Sequence, residues 1–443
     1  MGEVTLNRIE PDTTHEEEKL KTWDWGFILT ILSVGSVFLG SLLVKIDLSF
    51  FQLYPLRFFG FVGVFFILIN KGWNDPLLSF NSRFIAVFLL LGLISVVWAP
   101  DKILAIKEIG ILQTGLTFTW LITRYVNTED RLNLVISIWI FGAIFVNLIG
   151  LWEVLNQQFL LVTEIGSKTE RAIERIGFLA PRSIFNNQNN YAFFNAITSI
   201  VLLGKIIKKY QPTKLYIINC FSLSLSIFIL ICSYSRAAIA GFSLCFALFF
   251  IFTFLSTSKL KVNLANLAIL GVIAFLGLAL FEPAILDAIT SKLYLVVEKN
   301  HQTKEEGRSV LYSTTLNYAL ENLGIGMGPG SSVHNLNGLP PHSYFLQLLV
   351  EYGILIVIGQ LYILFRVYKR LSSYHFAVQN AMPMMLRASI IVFPLLSVGP
   401  SSIFGEGVFW LWLGLILAYS SVTVREYLKT IDSLQMKLHI HNS

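Results

Sequence analysis

Residues 132–152 read LNLVISIWIFGAIFVNLIGLW, with no charged side chain among them. A helix of this length reaches across the roughly 30 Å hydrocarbon core of a bilayer. In lipid the backbone polar groups must be satisfied inside the segment itself, which is why a helix is expected. The same pattern recurs on both sides of this stretch. Apolar runs fall at about 25–44, 51–70, 84–99, 103–123, 187–204, 215–233, 236–255, 263–281, 343–366, 384–400 and 404–422. Together they predict an all-α polytopic membrane protein of about twelve transmembrane helices.

Composition agrees. The chain of 443 residues is 55% hydrophobic and only 14% charged, against about 25% charge in a soluble domain. One soluble core cannot hide so much apolar surface, so lipid must cover much of it. The 36 Phe and nine Trp suit lipid-facing helices and interfacial belts.

Orientation follows from the short connections. One alternating set holds Lys71 and Arg83, Arg124 and Arg131, then Lys205, Lys208, Lys209 and Lys214. It continues with Lys259 and Lys261, then Arg366, Lys369 and Arg370, then Arg425 and Lys429. The other short connections hold little beyond Lys45, Lys102 and Arg236. Lys/Arg-rich short loops stay cytoplasmic, so both termini are expected inside. The expected organisation is a cytoplasmic tail at 1–24, helices one to nine over 25–281 and a large extracytoplasmic loop at 282–342. Helices ten to twelve over 343–422 and a cytoplasmic tail at 423–443 complete it. A second long outer connection falls at about 153–186. The polar first 22 residues, with Glu16, Glu17 and Glu18, do not read as a signal peptide, and the first apolar run is expected to remain as an uncleaved span.

Several classes are excluded. The net charge of +6 is spread between apolar runs and not gathered on a soluble basic face, so nucleic acid is not an expected partner. Cys220, Cys232 and Cys245 lie inside apolar runs and read as small core residues. No Cys/His cluster has zinc spacing and no Asp-x-Asp element appears, so neither a metal nor another cofactor is expected. Gly324, Gly326, Gly328 and Gly330 read as a flexible loop without the strand–turn–helix setting of a dinucleotide site.

Four features near the outer face carry chemistry. Ser235-Arg236 stands at an outer turn, where Arg236 is either a snorkelling anchor or a phosphate clamp, since the guanidinium fork matches phosphate oxygens. Gly307-Arg308 opens a short amphipathic helix in the large loop, where Arg308 is either a solvated charge or a second anion ligand. Pro340-Pro341-His342-Ser343-Tyr344 opens a long apolar helix. The positive end of that helix favours neutral imidazole at His342, which suits a general base, and packing at the interface is the alternative. His334 is the nearby competitor. Gln347 and Glu351 share one face of the same helix, nine residues of spacing put Glu351 opposite His342, and Glu351 reads more as an intramembrane contact. Phe185-Asn186-Asn187-Gln188-Asn189-Asn190-Tyr191 is either a polar helix cap or a set of amides for sugar hydroxyls.

From about Phe178 onward the chain resembles the O-antigen ligase and polymerase superfamily, which includes teichuronic-acid-type polysaccharide polymerases. The likeness rests on the Asn-rich helix start, Ser235-Arg236-Ala237-Ala238, Gly307-Arg308 and, above all, His342-Ser343-Tyr344 through Glu351-Tyr352-Gly353. Ser343, Gln188 and Ala237 stand where Asn, Pro and Gly are common in that family. The resemblance implies a bacterial inner-membrane glycosyltransferase that is metal-independent and inverting. It would move glycan from an undecaprenyl-diphosphate carrier to an acceptor hydroxyl in cell-surface polysaccharide synthesis. It implies Arg236 and Arg308 as ligands of the diphosphate and His342 as the base. Asn186, Asn187, Asn189, Ser235, Ser343, Glu351 and His334 are further substrate-binding candidates. The expected partners are the lipid-linked donor, a glycan or lipid acceptor, membrane lipid and polysaccharide-assembly proteins. The competing class is a transporter or flippase of lipid-linked oligosaccharide. Such a protein should place charge near the midplane, where only Arg57, Lys107, Glu108 and Arg387 fall, and should show two matching halves, which the sequence lacks.

Overall fold

The computed structural model describes residues 24–48, 51–69, 79–161, 179–207, 212–255, 305–336, 338–374, 381–400 and 402–441. The expected span at 263–281 and the part of the large loop up to residue 304 lie outside the described residues.

Most of the described residues are helical. A first group comprises α1 (Trp25–Val37), α2 (Gly40–Leu43), α3 (Pro55–Ile69), α4 (Ser79–Ser95), α5 (Lys102–Tyr125) and α6 (Glu129–Asn156). Then come α7 (Gln188–Ile206), α8 (Thr213–Cys232) and α9 (Arg236–Leu255). After the undescribed stretch follow α10 (Glu305–Glu321), α11 (Ser331–Asn335), α12 (Tyr344–Tyr352), α13 (Ile354–Tyr374), α14 (Ala381–Leu396) and α15 (Gly407–His441). A two-stranded antiparallel ribbon, β1 (Ile46–Leu48) with β2 (Phe51–Leu53), joins α2 to α3. Among the described residues three stretches are long and apolar enough to cross a membrane: α6, α8 and Gly407–Arg425 of α15. Five shorter apolar helices accompany them among the same residues, including α1, α3 and α14. This is an all-helical multi-pass membrane protein. Its outward side chains agree, with Phe65, Leu68, Phe141, Leu355 and Phe365 exposed on helix faces where lipid would solvate them.

One expectation changes. The apolar helix expected over 343–366 is two helices, α12 and α13, broken at Gly353. The last apolar run, expected over 404–422, opens a helix that continues to His441.

The core is built where α5, α7, α14 and α15 meet. Trp410 of α15 fills the space left by Gly115 of α5, and a Cβ on Gly115 would lie 2.0 Å from the ring. Beside it the Thr119 hydroxyl donates to the Trp410 carbonyl at 3.3 Å. Trp412 donates its indole N–H to Ser389 (3.1 Å), and Trp139 donates to Thr198 (2.9 Å). An indole buried away from water needs such a partner, and the hydroxyls of neighbouring helices supply it. Cys220, Cys232 and Cys245 are free and buried, as expected of small core residues.

Side-chain ties define the two ends of the bundle. At one end Asp24 caps α1 by accepting from the Phe27 N–H (3.1 Å) and pairs with Arg131 at 2.7 Å. Arg131 also donates to the Tyr125 carbonyl, and Lys205 donates to Asn133. This end therefore gathers the start of α1, the end of α5, the start of α6 and the end of α7. The opposite end gathers the features described next.

Replacing Gly115 with Leu should expel the Trp410 ring and cost about 1–3 kcal/mol of stability. The check is a lower unfolding temperature of the detergent-solubilised protein, followed by tryptophan fluorescence.

Candidate active site

The break at Gly353 begins with the glycine-rich segment after α10. Gly324, Gly326, Gly328 and Gly330 all have positive φ, as does Gly353 itself. This backbone lies against the end of α12. Met327 N–H donates to the Val350 carbonyl (2.7 Å), Gly328 N–H to the Glu351 carbonyl (3.0 Å), and Ile354 N–H to the Gly324 carbonyl (2.8 Å). The two chains approach so closely that a Cβ on Gly353 would sit 2.3 Å from the Ile325 oxygen, and one on Gly326 2.7 Å from the Gly353 nitrogen. The segment expected to be a flexible loop is thus a packed one, and glycine is needed because only bare backbone fits. Trp98 fixes it further by donating its indole N–H to the Gly326 carbonyl at 2.9 Å.

Glu351 closes the arrangement from inside. Its fully buried carboxylate accepts from the Ser332 hydroxyl and from the Gln347 amide, the latter at 3.2 Å. It therefore ties α11 to α12. Both contacts lie on α11 and α12, and neither is with His342.

His342 lies two residues before α12, with Ser343 in the N-cap position. Ser343 makes no side-chain cap bond. His342 has φ +49°, a left-handed conformation that costs a residue with a Cβ energy. The Tyr312 hydroxyl of α10 donates to the His342 carbonyl at 3.3 Å. Tyr312 stands one turn beyond Arg308, which lies in the first turn of α10. The Arg308 side chain is outside the described residues. His334 is exposed on α11.

The connection between α14 and α15 is the common neighbour of the other features. Ser402 donates to the Gln347 side-chain oxygen at 3.1 Å. Phe404 packs against Tyr344, with ring centroids 5.4 Å apart. Gly399 lies against the turn between α8 and α9, where its Cβ would be 3.4 Å from the Ser235 hydroxyl and 3.7 Å from Ala237. Glu406 meets the Asn190 amide of α7. Gly407 abuts Leu56 of α3. The segments bearing Arg236, His342 and the Asn-rich helix start are therefore drawn to one loop.

At the α8–α9 turn, Ser235 is buried and Arg236 is exposed as the first residue of α9. Tyr234 takes positive φ there, and burial, with some help from Cys232, pushes its phenol up to about 12. Of the amides, Asn187 is a helix cap that accepts from the Asn190 N–H at 2.9 Å. Asn186 is exposed, Asn189 half-buried, and Asn190 buried.

The long connection after α6 is held by Glu153. Its carboxylate accepts the N–H groups of Arg182 and Ser183, both at 2.8 Å, and that of Leu160 at 3.3 Å. The Arg182 guanidinium lies 3.9 Å from the Phe159 ring centre. Desolvation lowers its pKa, against the pull of Glu153.

Sequence reasoning missed Glu406. The signal was present: it is the lone carboxylate between Tyr352 and Arg425, flanked by Gly405 and Gly407. Burial pushes its carboxyl up to about 7, against the opposing pull of the Asn190 amide. Arg387 lies 4.6 Å from the Phe252 ring centre and 4.8 Å from that of Tyr368, and donates to the Tyr368 hydroxyl. Among the described residues no three or more His, Cys, Asp or Glu side chains gather as a metal-binding group.

Comparison with known proteins gives two likenesses. Residues 221–359 match the family described as O-antigen ligase. Over 424 residues the chain is 24% identical to the teichuronic acid biosynthesis protein TuaE of Bacillus subtilis (strain 168). That alignment covers 88% of this chain and 83% of TuaE. The superfamily resemblance read from the sequence is thus met by both, and the matched range contains Arg236, Arg308, His342 and Glu351.

The Glu406 carboxyl keeps its proton to about pH 7 in the folded chain, while the unfolded chain releases it near 4.5. Its contribution to stability is therefore full below pH 4.5 and is lost as pH rises through about 7. Relative to Glu406→Gln, the wild-type unfolding temperature should fall between pH 5 and pH 8. Parallel melting curves across that range would contradict it.

Proposed function

We propose that this membrane enzyme of polysaccharide biosynthesis transfers glycan from an undecaprenyl-diphosphate carrier to an acceptor hydroxyl. The work would be done on the extracytoplasmic face of a bacterial inner membrane, in a bundle of about twelve spans. The observation that carries this reading is the convergence of the Arg236 turn and the His342 helix start on the Gly399–Glu406 loop, inside the region that matches the O-antigen ligase family. The Lys/Arg-rich connections at the other end of the bundle support the orientation. The likeness to the teichuronic acid biosynthesis protein TuaE supports a teichuronic-type role.

In this reading Arg236 and Arg308 grip the diphosphate. Each guanidinium presents a fork of donors whose geometry matches phosphate oxygens. His342, beside the N-terminus of α12, takes the acceptor proton. The freed oxygen attacks the anomeric carbon from the face opposite the diphosphate, so the configuration inverts, and the C–O bond to the carrier breaks. The electron pair leaves with the diphosphate, whose charge the arginines stabilise. Positioning and this electrostatic term account for the rate, and the arginines supply the positive charge that the leaving group requires.

The test is transfer in detergent from lipid-linked glycan, with chelator present. Arg236→Ala and Arg308→Ala should each lower the rate by about 30- to 1,000-fold, the loss expected of one anion-stabilising donor. Arg236→Lys should recover only part of it, because the fork is lost. His342→Ala should be inactive. Movement of the carrier without any new glycosidic bond would identify a transporter instead.

A further inference from the structure

The diphosphate reading leaves one polar corner of the face unexplained: the meeting of α7, the loop before α15 and the start of α3. Asn190 is 5% exposed, and its amide N–H donates to Glu406. Its other side-chain atom, the carbonyl oxygen Oδ1, is buried with no hydrogen-bond partner in the protein. A buried acceptor left unmet costs free energy comparable to a lost hydrogen bond. Such an atom is explained by a donor that arrives from outside. Glu406 is half-buried, so the corner is not sealed.

Two further groups stand near it at the start of α3, Tyr54 just before the helix and Arg57 in its first turn. Tyr54 is raised in pKa by burial, lowered by Arg57 and raised again by the nearby charge of Glu406. Arg57 lies 4.7 Å from the centre of the Tyr54 ring and donates to the Gln52 carbonyl at 2.6 Å. The corner thus holds an amide oxygen awaiting a donor, a carboxyl group, a phenol ring and a guanidinium.

This set discriminates among ligand classes. A carboxylate repels phosphate, so the corner is not a second diphosphate site. A bare metal ion would find one carboxylate beside a competing arginine. A neutral sugar fits: its vicinal hydroxyls each both donate and accept, which suits an amide and a carboxyl side by side.

We propose that Asn190 and Glu406, backed by Tyr54 and Arg57, form the subsite that binds hydroxyl groups of the acceptor glycan. The inference rests on the glycan-transfer reading above and adds to it the acceptor's place. Asn190 Oδ1 accepts from one hydroxyl and the Glu406 carboxyl engages its neighbour. The acceptor is thereby held apart from the arginines that take the donor.

The experiment uses the full chain in detergent. The probe is the set of carrier-free oligosaccharides released by mild acid from the surface polysaccharide of the source strain. Binding is read by microscale thermophoresis, and folding by the unfolding temperature. Glu406→Gln keeps the shape of the side chain and its bond to Asn190, so it tests the carboxyl without emptying the corner. Asn190→Leu, close in volume, removes the accepting oxygen and tests the amide independently.

Wild type should bind the oligosaccharides. Glu406→Gln and Asn190→Leu should weaken binding by about tenfold or more, the worth of one hydrogen bond to a charged or buried group. Arg236→Ala should bind them as wild type does. In transfer assays the KM for added acceptor should rise in Glu406→Gln while the KM for the lipid-linked donor holds. Unchanged oligosaccharide binding in both folded variants, or no binding by wild type, overturns the subsite. Oligosaccharide binding that responds to both variants, in a protein that transfers nothing, upholds the subsite and rejects the transferase reading.

Discussion

Three carboxyl groups, Glu153 and Glu351 buried and Glu406 half-buried, hold one end of this bundle together. Every helix that ends there leaves backbone groups without partners, and in a membrane protein water is scarce to satisfy them. Glu153 takes three N–H groups from the connection after α6. Glu351 takes the Ser332 hydroxyl and the Gln347 amide. Glu406 takes the Asn190 amide. Each is an acceptor placed where a chain crossing would otherwise present unmet donors. A buried carboxylate is costly alone, and the cost is offset because each is met by several donors or by one close one.

The same end holds the backbone strain. Among the described residues the non-glycine positions with positive φ are Gln157, Ser183, Tyr234, Leu323 and His342. All five fall in the turns and connections of this face. Strain of this kind persists only where surrounding contacts over-determine it. Tyr312 supplies such a contact at His342, and Glu153 supplies one at Ser183. The opposite end, with its Asp24–Arg131 pair, relies on ordinary caps and charge pairs.

The helices were legible in the sequence because hydropathy is a one-dimensional property. A run such as 132–152 needs no knowledge of its neighbours to be recognised. What escaped reading depended on contacts distant in sequence. The break at Gly353 is set by the segment 324–328 lying against it, and apolar periodicity carries no trace of that approach. The glycines there were visible, but glycine alone does not distinguish a loose loop from a tightly packed one. Of the candidate residues, Ser235-Arg236, His342 and the Asn-rich helix start were found as motifs. Glu406 was not, because its meaning lies in Asn190, 216 residues away.

The junction at Gly353 has a mechanical consequence. The segment 324–328 lends its amides to the end of α12 and its carbonyl to the start of α13. Three stretches of chain thus share a single set of bonds, and none can shift alone. Should the mouth of this protein open and shut as it works, the travelling part must be the whole block, with α10 and the His342 turn carried along like a door with its frame.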